Sequence, residues 1–387
     1  MRKIAAVTVG RSDYGLSRPI LRRLAADPAL TLQLLVSGAH FDPASGNTFT
    51  EIEADGFAIT ERLPLATPEA RPQSVAASMG AAVTVFAEAY AKHQPDLLLV
   101  IGDRFEMHAA ALAALPMRVP VAHVHGGELT FGAIDDALRH SITKLSHLHF
   151  AASAESAARI RQMGEEPWRI TVSGAPGLDN LADIALAPLA DFATRHQLPL
   201  AQPPVLVTFH PVTLEHDRTE WHISELLAAL AELAAPILFT LPNVDTGHPA
   251  IVRALREFVA RRANSFLVAN LGTRDYFSAM SWSLAMVGNS SSGIIEAASF
   301  TLPVVNIGHR QEGRTRAANV IDCEPDRASI AAAMRRAVDP AFRTSLAGLR
   351  NPYGDGHAAE RIVPRLRDVG LGLTLLTKRF ADLPVPK

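Results

Sequence analysis

Histidines and carboxylates follow two neighbouring predicted strands in the first half of the chain. Gly102-Asp103-Arg104 comes directly after the apolar run DLLLVI, and HVHGGE, residues 123–128, ends the next strand. Alternation along a strand would place His123 and His125 on the same face. Titratable groups gathered in a cleft shift one another's pKa values, which suits them to serve as acid and base. We therefore expect acid–base chemistry here, with Asp103, Glu128, Asp135 and His125 as candidate catalytic residues.

The same residues leave a metal site open as the less favoured alternative. An HxH motif with carboxylates nearby could bind zinc or manganese. Metallohydrolases of this type carry the motif near their first strand, whereas here it begins at His123. The single cysteine, Cys323, excludes a CxxC metal or redox site and any internal disulfide. A helix N-cap is the ordinary alternative role for Asp103.

A turn rich in glycine and serine in the second half could hold a phosphate. It reads GNSSSG over residues 288–293, and a helical pattern over Ile294–Phe300 follows. A turn that leads into a helix presents unpaired N–H groups and the positive end of the helix dipole. A cap alone would need one serine, so three serines favour a phosphate site. We expect Ser290, Ser291, Ser292 and Gly293 to bind the phosphate and Glu296 to accept hydrogen bonds from a ribose.

Arginines and a histidine follow other predicted strands. Arg11 comes after the first strand, His210 ends VLVTFHP, and Arg310 and Arg314 belong to the segment RQEGR. The planar guanidinium group matches the oxygens of a phosphate. A protonated imidazole at His210 could neutralise a departing phosphate. The alternatives are a surface salt bridge, a charged loop and a core histidine.

These residues can lie close together only in a fold that places the carboxyl ends of its strands at one edge of a sheet. Short apolar runs alternate with helical patterns in both halves, which predicts an α/β protein with two Rossmann-like, doubly wound domains facing a cleft. We expect an N-terminal domain over residues 1–197, a C-terminal domain over 198–357 and a C-terminal helix within 358–387 that packs back on the first domain. The predicted strands are Ile4–Val9, Leu32–Ser37, Asp96–Ile101, Pro120–His125, Leu148–Ala152, Arg169–Val172, Val205–Thr208, Ile237–Thr240, Ser265–Val268, Leu284–Val287 and Pro303–Ile307.

Composition narrows the partners and the compartment. The chain of 387 residues has 37 Lys plus Arg against 39 Asp plus Glu, so its net charge of -2 gives no reason to expect nucleic acid. The N-terminus does not resemble a signal peptide. The longest uncharged stretch, Tyr276–Ile295, contains six serines and Asn289, which argues against a membrane span. We expect a cytoplasmic protein.

Taken in order, the motifs resemble those of the hydrolysing UDP-N-acetylglucosamine 2-epimerases, which include enzymes of the sialic-acid and legionaminic-acid pathways. The resemblance covers nearly the whole chain and implies a glycosyltransferase-B-like fold, a UDP-sugar substrate and no metal or other cofactor. We also expect a homodimer or homotetramer. The matching segments are GRSDYG, IGDRFE, HVHGGELTFGAIDDALRHSITKLSHLHF, FHPVT, LPNVDTG, GNSSSGIIE, GHRQEGR and NPYGDG.

The resemblance also implies a reaction and a role for individual residues. UDP is eliminated across C1 and C2 of UDP-N-acetylglucosamine, and water adds to the resulting glycal to give N-acetylmannosamine. Several relatives carry Glu where His125 stands, which leaves UDP-2,4-diacetamido-2,4,6-trideoxyhexose as the alternative substrate. The implied diphosphate ligands are Arg11, Arg104, His210, Ser290, Ser291 and Arg310; Asn243 and Glu296 would hold the uridine end, and Asp103, Glu128 and Asp135 would transfer protons.

Overall fold

The computed structural model describes residues 1–42, 46–65, 72–131, 134–242 and 247–382. It divides the chain into two compact units. The first unit comprises Met1–Glu128, Ile134–Ala182 and Tyr353–Lys387, and the second comprises Leu129–Ala133 and Asp183–Pro352. These bounds differ from the expected ones, because residues 183–197 cluster with the second unit and residues 353–357 with the first.

Side-chain contacts explain why the segment after Ala182 belongs to the second unit. His196 Nε2 lies 2.7 Å from Asp275 Oδ2, and Arg195 pairs with the other oxygen of the same carboxylate. The ring of Phe192 meets the ring of Trp282 edge-on at 5.1 Å between centroids. The proline-rich stretch at residues 198–204 therefore lies within the second unit and does not separate the two.

Each unit contains one parallel β-sheet flanked by helices. Within the described residues, the strands are β1 Arg2–Thr8, β2 Leu30–Ser37, β3 Ile59–Leu63, β4 Leu97–Ile101, β5 Val121–Val124, β6 Leu148–Ala151, β7 Ile170–Val172, β8 Val205–Thr208, β9 Ile237–Thr240, β10 Ser265–Val268, β11 Ala285–Gly288, β12 Val304–Ile307 and β13 Val320–Cys323. The first sheet has the order β3-β2-β1-β4-β5-β6-β7 and the second β10-β9-β8-β11-β12-β13. The prediction of two Rossmann-like α/β domains is confirmed.

The helices occupy the connections between the strands. They are α1 Arg11–Ala26, α2 Phe49–Ala54, α3 Pro72–His93, α4 Phe105–Ala114, α5 Asp135–Leu145, α6 Ala154–Gln162, α7 Asn180–Asp183, α8 Leu189–Arg195, α9 Thr219–Leu230, α10 His248–Arg261, α11 Gly272–Trp282, α12 Ser291–Ile295, α13 Arg327–Ala337, α14 Pro340–Ser345, α15 Ala358–Asp368 and α16 Leu373–Leu376. Helix α15 packs against α1, and its Ile362, Val363 and Leu366 enter the apolar core of the first unit.

Strand β4 shows why a continuous apolar run marks the centre of a parallel sheet. Leu97, Leu99 and Ile101 enter the core on the α1 and α15 side, whereas Leu98 and Val100 enter the core on the α3 and α4 side. All five side chains are buried, and each contributes about 1.5–3 kcal/mol to the free energy of folding. Helices thus cover both faces of the strand, as the sequence predicted.

Two strands, β3 and β13, were absent from the sequence-based prediction. Both are short strands at a sheet edge. Their sequences, ITERL and VIDC, mix polar and apolar residues, and part of each strand is exposed. An edge strand needs no continuous apolar run, so its sequence resembles that of a loop.

The chain order places β1 beside β4 and β8 beside β11, although neither pair is consecutive. In the first unit, α1 packs on one face of the sheet and α4 on the opposite face. The N-termini of these two helices therefore border a crevice at the carboxyl edge of the sheet. Doubly wound sheets bind ligands at such a switch point.

Helix α3 combines an apolar composition with an exposed position. By length and composition alone, the segment Gln73–His93 could cross a membrane. Only 22% of its most apolar part is buried in the protein. Phe86 and Tyr90 pack into the core of the first unit. Ala76, Ala77 and Ala81 are exposed.

Candidate active site

The two histidines of the HxH motif do not share a face, so that prediction is wrong. Strand β5 ends at Val124, and His125 has a φ of +66°, in the left-handed region. His123 Nε2 lies 2.8 Å from the carbonyl oxygen of Gly102, and its Nδ1 lies 3.3 Å from Thr143 Oγ1. The chain leaves the extended conformation at His125, so the alternation of strand side chains does not extend to the second imidazole.

The partners of His123 fix the state of its ring. A carbonyl oxygen only accepts, so Nε2 carries a hydrogen and donates it to Gly102. Burial lowers the pKa of His123 to about 3, which keeps the imidazole neutral. Among the described residues, no group of three or more His, Cys, Asp or Glu side chains is arranged to hold a metal ion.

His125 and Glu128 form a buried histidine–carboxylate pair. His125 Nδ1 lies 2.6 Å from Glu128 Oε1, and both side chains are largely inaccessible to solvent. A carboxylate accepts, so Nδ1 donates and the neutral ring has its lone pair on Nε2. This Nε2 is buried and has no hydrogen-bond partner among the described residues. The pair can accept a proton at Nε2 while Glu128 holds the ring in place.

Arg139, which the sequence analysis did not select, links the predicted carboxylates. Its Nη2 pairs with Asp103 Oδ2, and its Nη1 donates to the backbone oxygen of Glu128 at 3.0 Å. Nη1 also lies 3.7 Å from Asp136 Oδ1. Only 2% of Arg139 is exposed. In the sequence, Arg139 follows Asp135 by four residues and Asp136 by three, and this spacing on a helix would have indicated an arginine near both carboxylates.

Asp135 and Asp136 open helix α5 in different surroundings. Burial, together with the negative charge of Asp103, raises the pKa of Asp135 to about 6. Asp136 Oδ2 lies 3.5 Å from His140 Nε2 one turn along the helix, as expected for residues four apart. Asp135 can therefore carry a proton close to neutral pH.

The two arginines expected from the first unit lie at the start of helices and are partly exposed. Arg104 caps α4, and its Nε and Nη2 each lie 3.3 Å from the carboxylate of Glu106. Arg11 begins α1, and its Nη2 lies 3.3 Å from Glu51 Oε1. The Arg11–Glu51 pair is exposed on both sides and contributes less than about 1 kcal/mol to folding, so the Arg11 guanidinium group is available to a stronger anion. The carboxylate that pairs with Arg104 is buried.

Asn289 organises the carboxyl edge of the second sheet. Its Oδ1 accepts from the backbone N–H of His210 at 2.7 Å, and its Nδ2 donates to the backbone oxygen of His210 at 2.8 Å. Its own backbone oxygen accepts from Arg310 Nη1 at 3.1 Å and from Gln311 Nε2 at 2.9 Å. The sequence analysis assigned no role to Asn289 or Gln311, although Asn289 stands inside the GNSSSG turn.

The expectation of a protonated imidazole at His210 needs correction. Burial, together with the nearby positive charge of Arg310, lowers the pKa of His210 to about 3. The ring is therefore neutral in the unliganded protein. A neutral imidazole can still donate one N–H group to an anion, but it brings no positive charge.

A glycine and a cap shape the serine turn. Gly288 has a φ of +144°, and a Cβ atom there would lie 1.9 Å from the backbone oxygen of Thr208, so only glycine fits. Ser290 caps α12 by accepting from the N–H of Ser292 at 3.4 Å. The predicted helix over Ile294–Phe300 is instead α12 followed by a 3-10 turn over Ala297–Phe300.

The serine hydroxyl groups also connect to a buried tyrosine. Ser290 Oγ lies 2.9 Å from Ser292 Oγ, which lies 2.7 Å from the hydroxyl of Tyr276. Ser291 is the first residue of α12 and is half-buried. Gly293 is buried, and a Cβ atom there would lie 3.0 Å from Val304 Cγ1, so packing alone accounts for this glycine.

The remaining expected residues lie around this turn or outside the described residues. Glu296 is buried directly after α12, and Arg314 is half-buried in the loop that follows β12. Asn243 belongs to the stretch 243–246, which lies outside the described residues. The structure thus gathers His210, the serines and Arg310 around Asn289 in the second unit, and Asp103, Glu128 and His125 around Arg139 in the first.

Comparison with known proteins identifies the family. A family model described as UDP-N-acetylglucosamine 2-epimerase matches residues 22–367. The chain is 37% identical to a UDP-N,N'-diacetylbacillosamine 2-epimerase (hydrolyzing) from Legionella pneumophila, with 98% of this chain and 99% of the relative covered. It is 32% identical to a UDP-N-acetylglucosamine 2-epimerase from Neisseria meningitidis serogroup B, with 87% and 88% covered.

A solved structure supports the fold. The UDP-GlcNAc 2-epimerase from Neisseria meningitidis, bound to UDP-GlcNAc, superposes with a TM-score of 0.81 at 18% identity and covers 94% of this chain and 99% of that one. At this identity the similarity establishes the glycosyltransferase-B-like fold alone. Together with the match over most of the chain, these findings show that the protein belongs to the hydrolysing UDP-N-acetylglucosamine 2-epimerase family.

Proposed function

We propose that this protein inverts C2 of a UDP-linked 2-acetamido sugar and releases UDP, by elimination followed by addition of water. The observation that carries the proposal is the buried His125–Glu128 pair, whose Nε2 has no hydrogen-bond partner among the described residues. Inverting a carbon without a redox change requires a base that can remove its proton. A buried imidazole oriented by a carboxylate is suited to this task.

In the first step, His125 Nε2 takes the proton from C2. The C–H bonding electrons form the C1–C2 double bond, and the C1–O bond breaks with its electrons going to the diphosphate of UDP. A proton is then delivered to C2 of the glycal from the opposite face while the oxygen of water bonds to C1. The proton that this water loses restores the donor, and the proton on His125 is released to solvent when UDP leaves. Asp135 is our candidate for this proton donor, because its pKa of about 6 leaves part of it protonated near neutral pH.

The remaining groups of the first unit hold these two in place. Arg139 binds the Asp103 carboxylate and the backbone of Glu128 at once. One guanidinium group therefore joins the Asp103 carboxylate to the backbone of the residue that orients His125. This link supports Asp103 as a positioning residue that fixes the charge around the transferred proton.

The second unit offers groups for UDP. Negative charge builds up on the diphosphate as it leaves, so donors placed in advance lower the barrier. Arg310 is positively charged, as arginine always is in proteins, and its Nη1 donates to the backbone oxygen of Asn289 beside the serine turn. We propose that Arg310, Arg314, His210 and the serines of the GNSSSG turn hold the diphosphate and that Glu296 and Asn243 hold the uridine end.

The first candidate substrate is UDP-N,N'-diacetylbacillosamine, the UDP-2,4-diacetamido-2,4,6-trideoxyhexose that the sequence analysis gave as its alternative. It is favoured by the 37% identity over almost the full length to the Legionella protein that carries this name. UDP-N-acetylglucosamine, the substrate expected first from the sequence, is the second candidate. It is supported by the description of the family model and by the Neisseria relative at 32% identity.

A product assay by NMR in deuterium oxide tests the reaction and the substrate together. Each UDP-sugar is incubated separately with the enzyme, and we expect free UDP and a sugar inverted at C2 with deuterium at that carbon. A product without deuterium at C2 would reject proton abstraction. Activity lost on exhaustive chelation and restored by zinc or manganese would favour the metal-dependent hydrolase instead. The UDP-sugar with the higher kcat/KM is the substrate.

We also propose that the protein forms a homo-oligomer through the exposed face of α3. Small apolar residues such as Ala76, Ala77 and Ala81 stand on this face, and a helix this apolar is usually covered. A second copy offers the same flat surface in return. Light scattering should show a dimer or tetramer, and Ala77→Glu together with Ala81→Glu should release monomers. A monomeric wild type that floats with lipid vesicles would instead indicate a membrane surface as partner.

A further inference from the structure

A buried carboxyl group in the crevice between β1 and β4 has no role in the reaction described so far. Asp13 belongs to the GRSDYG segment and lies in the first turn of α1. This helix begins at the carboxyl end of β1, beside the Gly102-Asp103-Arg104 turn that follows β4. Asp13 therefore stands at the switch point of the first sheet, where doubly wound folds bind their ligands.

The side chain of Asp13 is buried without a complete set of partners. Only 8% of the residue is exposed, and its Oδ2 is buried and has no hydrogen-bond partner among the described residues. A Cβ atom built on Gly10 would lie 3.8 Å from this Oδ2, so the oxygen faces back toward the end of β1. Leaving a buried carboxyl oxygen without a donor destabilises the folded protein, because water no longer solvates it.

The charges around Asp13 indicate which kind of ligand group could donate a hydrogen bond to its Oδ2. Burial raises the pKa of Asp13 to about 7, the positive charge of Arg104 lowers it, and Glu106 and Asp103 raise it. His40, from the segment after β2, is neutral because burial lowers its pKa to about 4. A phosphate oxygen has no hydrogen to donate to Asp13, and an ionised Asp13 would repel it. A neutral donor, such as a sugar hydroxyl or an amide N–H group, can bond directly to the carboxyl oxygen.

We propose that Asp13 is a substrate-binding residue whose Oδ2 accepts a hydrogen bond from a hydroxyl or amide N–H group of the sugar. The proposal rests on the proposed function, because it takes the UDP-linked amino sugar as the ligand. It assigns Asp13 to the sugar and not to UDP. Asp13 Oδ2 then gains its hydrogen-bond donor only in the complex with the UDP-sugar. In the unliganded protein Asp13 lowers the stability of the fold, as is common for residues that serve binding.

Calorimetry on Asp13→Asn tests this assignment. The Asp13→Asn variant is compared with the protein that keeps Asp13, and both carry His125→Asn so that the UDP-sugar is not consumed. Each of the two is titrated with UDP and with each of the two UDP-sugars. We expect Asp13→Asn to leave the affinity for UDP unchanged and to weaken that for the substrate sugar by about tenfold or more. Equal affinities of the two proteins for every UDP-sugar, or an equal loss for UDP, would overturn the proposal.

Thermal unfolding separates binding from a merely structural role. Because the pKa of Asp13 is raised, the folded state loses stability as pH rises from the ordinary aspartate value to about 7. Asp13→Asn should therefore raise Tm by about 2–4 °C at pH 8 and much less near pH 4. A lowered Tm at both pH values would mark Asp13 as structural and overturn the proposal.

Asp179→Asn is the matched control. Asp179 is a buried carboxylate of the same unit, but its oxygens accept from the N–H groups of Ala358 and Ala359 at 2.8 and 2.6 Å. We expect this variant to lose Tm and to keep the ratio of UDP-sugar to UDP affinity. The failure of the proposed function can be distinguished from the failure of the Asp13 proposal. A wild type that gives no C2-deuterated product rejects the reaction, whereas the ratio of UDP-sugar to UDP affinity tests the role of Asp13.

Discussion

The carboxyl edges of the two sheets carry arginines that contact different kinds of acceptor. In the first unit, Arg139 pairs with Asp103 and Arg104 lies beside Glu106, so carboxylates neutralise both guanidinium groups. In the second unit, Arg310 Nη1 bonds to the backbone oxygen of Asn289. A carboxylate partner ties an arginine to titratable groups, whereas the contact with a backbone carbonyl fixes Arg310 to the serine turn.

The comparison teaches that one topology supports two kinds of chemistry. Both units place their candidate residues after three adjacent strands of the sheet, β1, β4 and β5 in the first unit and β8, β11 and β12 in the second. The first unit fills these positions with aspartates, glutamates and histidines, and the second with serines, an asparagine and arginines. Fold alone therefore does not decide which unit transfers protons and which holds UDP.

Replacing Arg139 should produce the largest effect. Arg139→Met removes the charge between Asp103 and Glu128, so we expect kcat to fall by about a hundredfold or more while the affinity for UDP is unchanged. Steady-state kinetics and UDP calorimetry measure the two quantities. Arg23→Met, which breaks an exposed pair with Glu360, is the control and should leave both unchanged. Loss of UDP affinity in Arg139→Met would contradict the division between the units.

Removing the Asn289 amide should have the second-largest effect, and the quantity that changes is the affinity for UDP. The variant Asn289→Ala loses the two side-chain hydrogen bonds that hold the backbone of His210. At about 1 kcal/mol each, UDP affinity should fall by about ten- to thirtyfold by calorimetry. Asn319→Ala removes a comparable buried amide that donates to Leu302 and should retain UDP affinity. An equal loss in both variants would mean that stability, and not the site, controls binding.

The pH profile of Asp135→Asn should show a smaller but diagnostic change. Asp135 is protonated below about pH 6 and ionised above it. If its proton is delivered to C2, wild-type kcat/KM declines as pH rises through about 6. The asparagine variant should be slower and lack this decline. An unchanged decline in the variant would assign the limb to another group.

Tyr276→Phe should have the smallest effect. It removes one hydroxyl group from the chain that joins Ser292 and Thr208. The expected cost is about 0.5–1.5 kcal/mol of unfolding free energy, measured by denaturant titration, with UDP affinity nearly unchanged. A loss of UDP affinity as large as that of Asn289→Ala would show that the hydroxyl chain is part of the phosphate site.

Local chemistry made part of the site predictable from the sequence. Glycine, serine and charged residues directly after apolar runs led to Asp103, Ser290 and Arg310, because parallel strands end at one edge. Arg139 and Asn289 escaped attention because their importance depends on several partners distant in sequence. His125 was assigned to the correct turn, but its face was wrong because one left-handed residue redirects the chain.

The sequence by itself determined the two α/β units, most of their central strands and the residue types at the strand ends. These features follow from hydrophobic period and local turn chemistry, which act over a few residues. Only the tertiary structure decided which nitrogen of His125 is available, that Arg139 joins Asp103 to Glu128, and that Asp13 is buried without a partner for Oδ2. Such properties depend on burial and on contacts between distant segments, which no local pattern encodes.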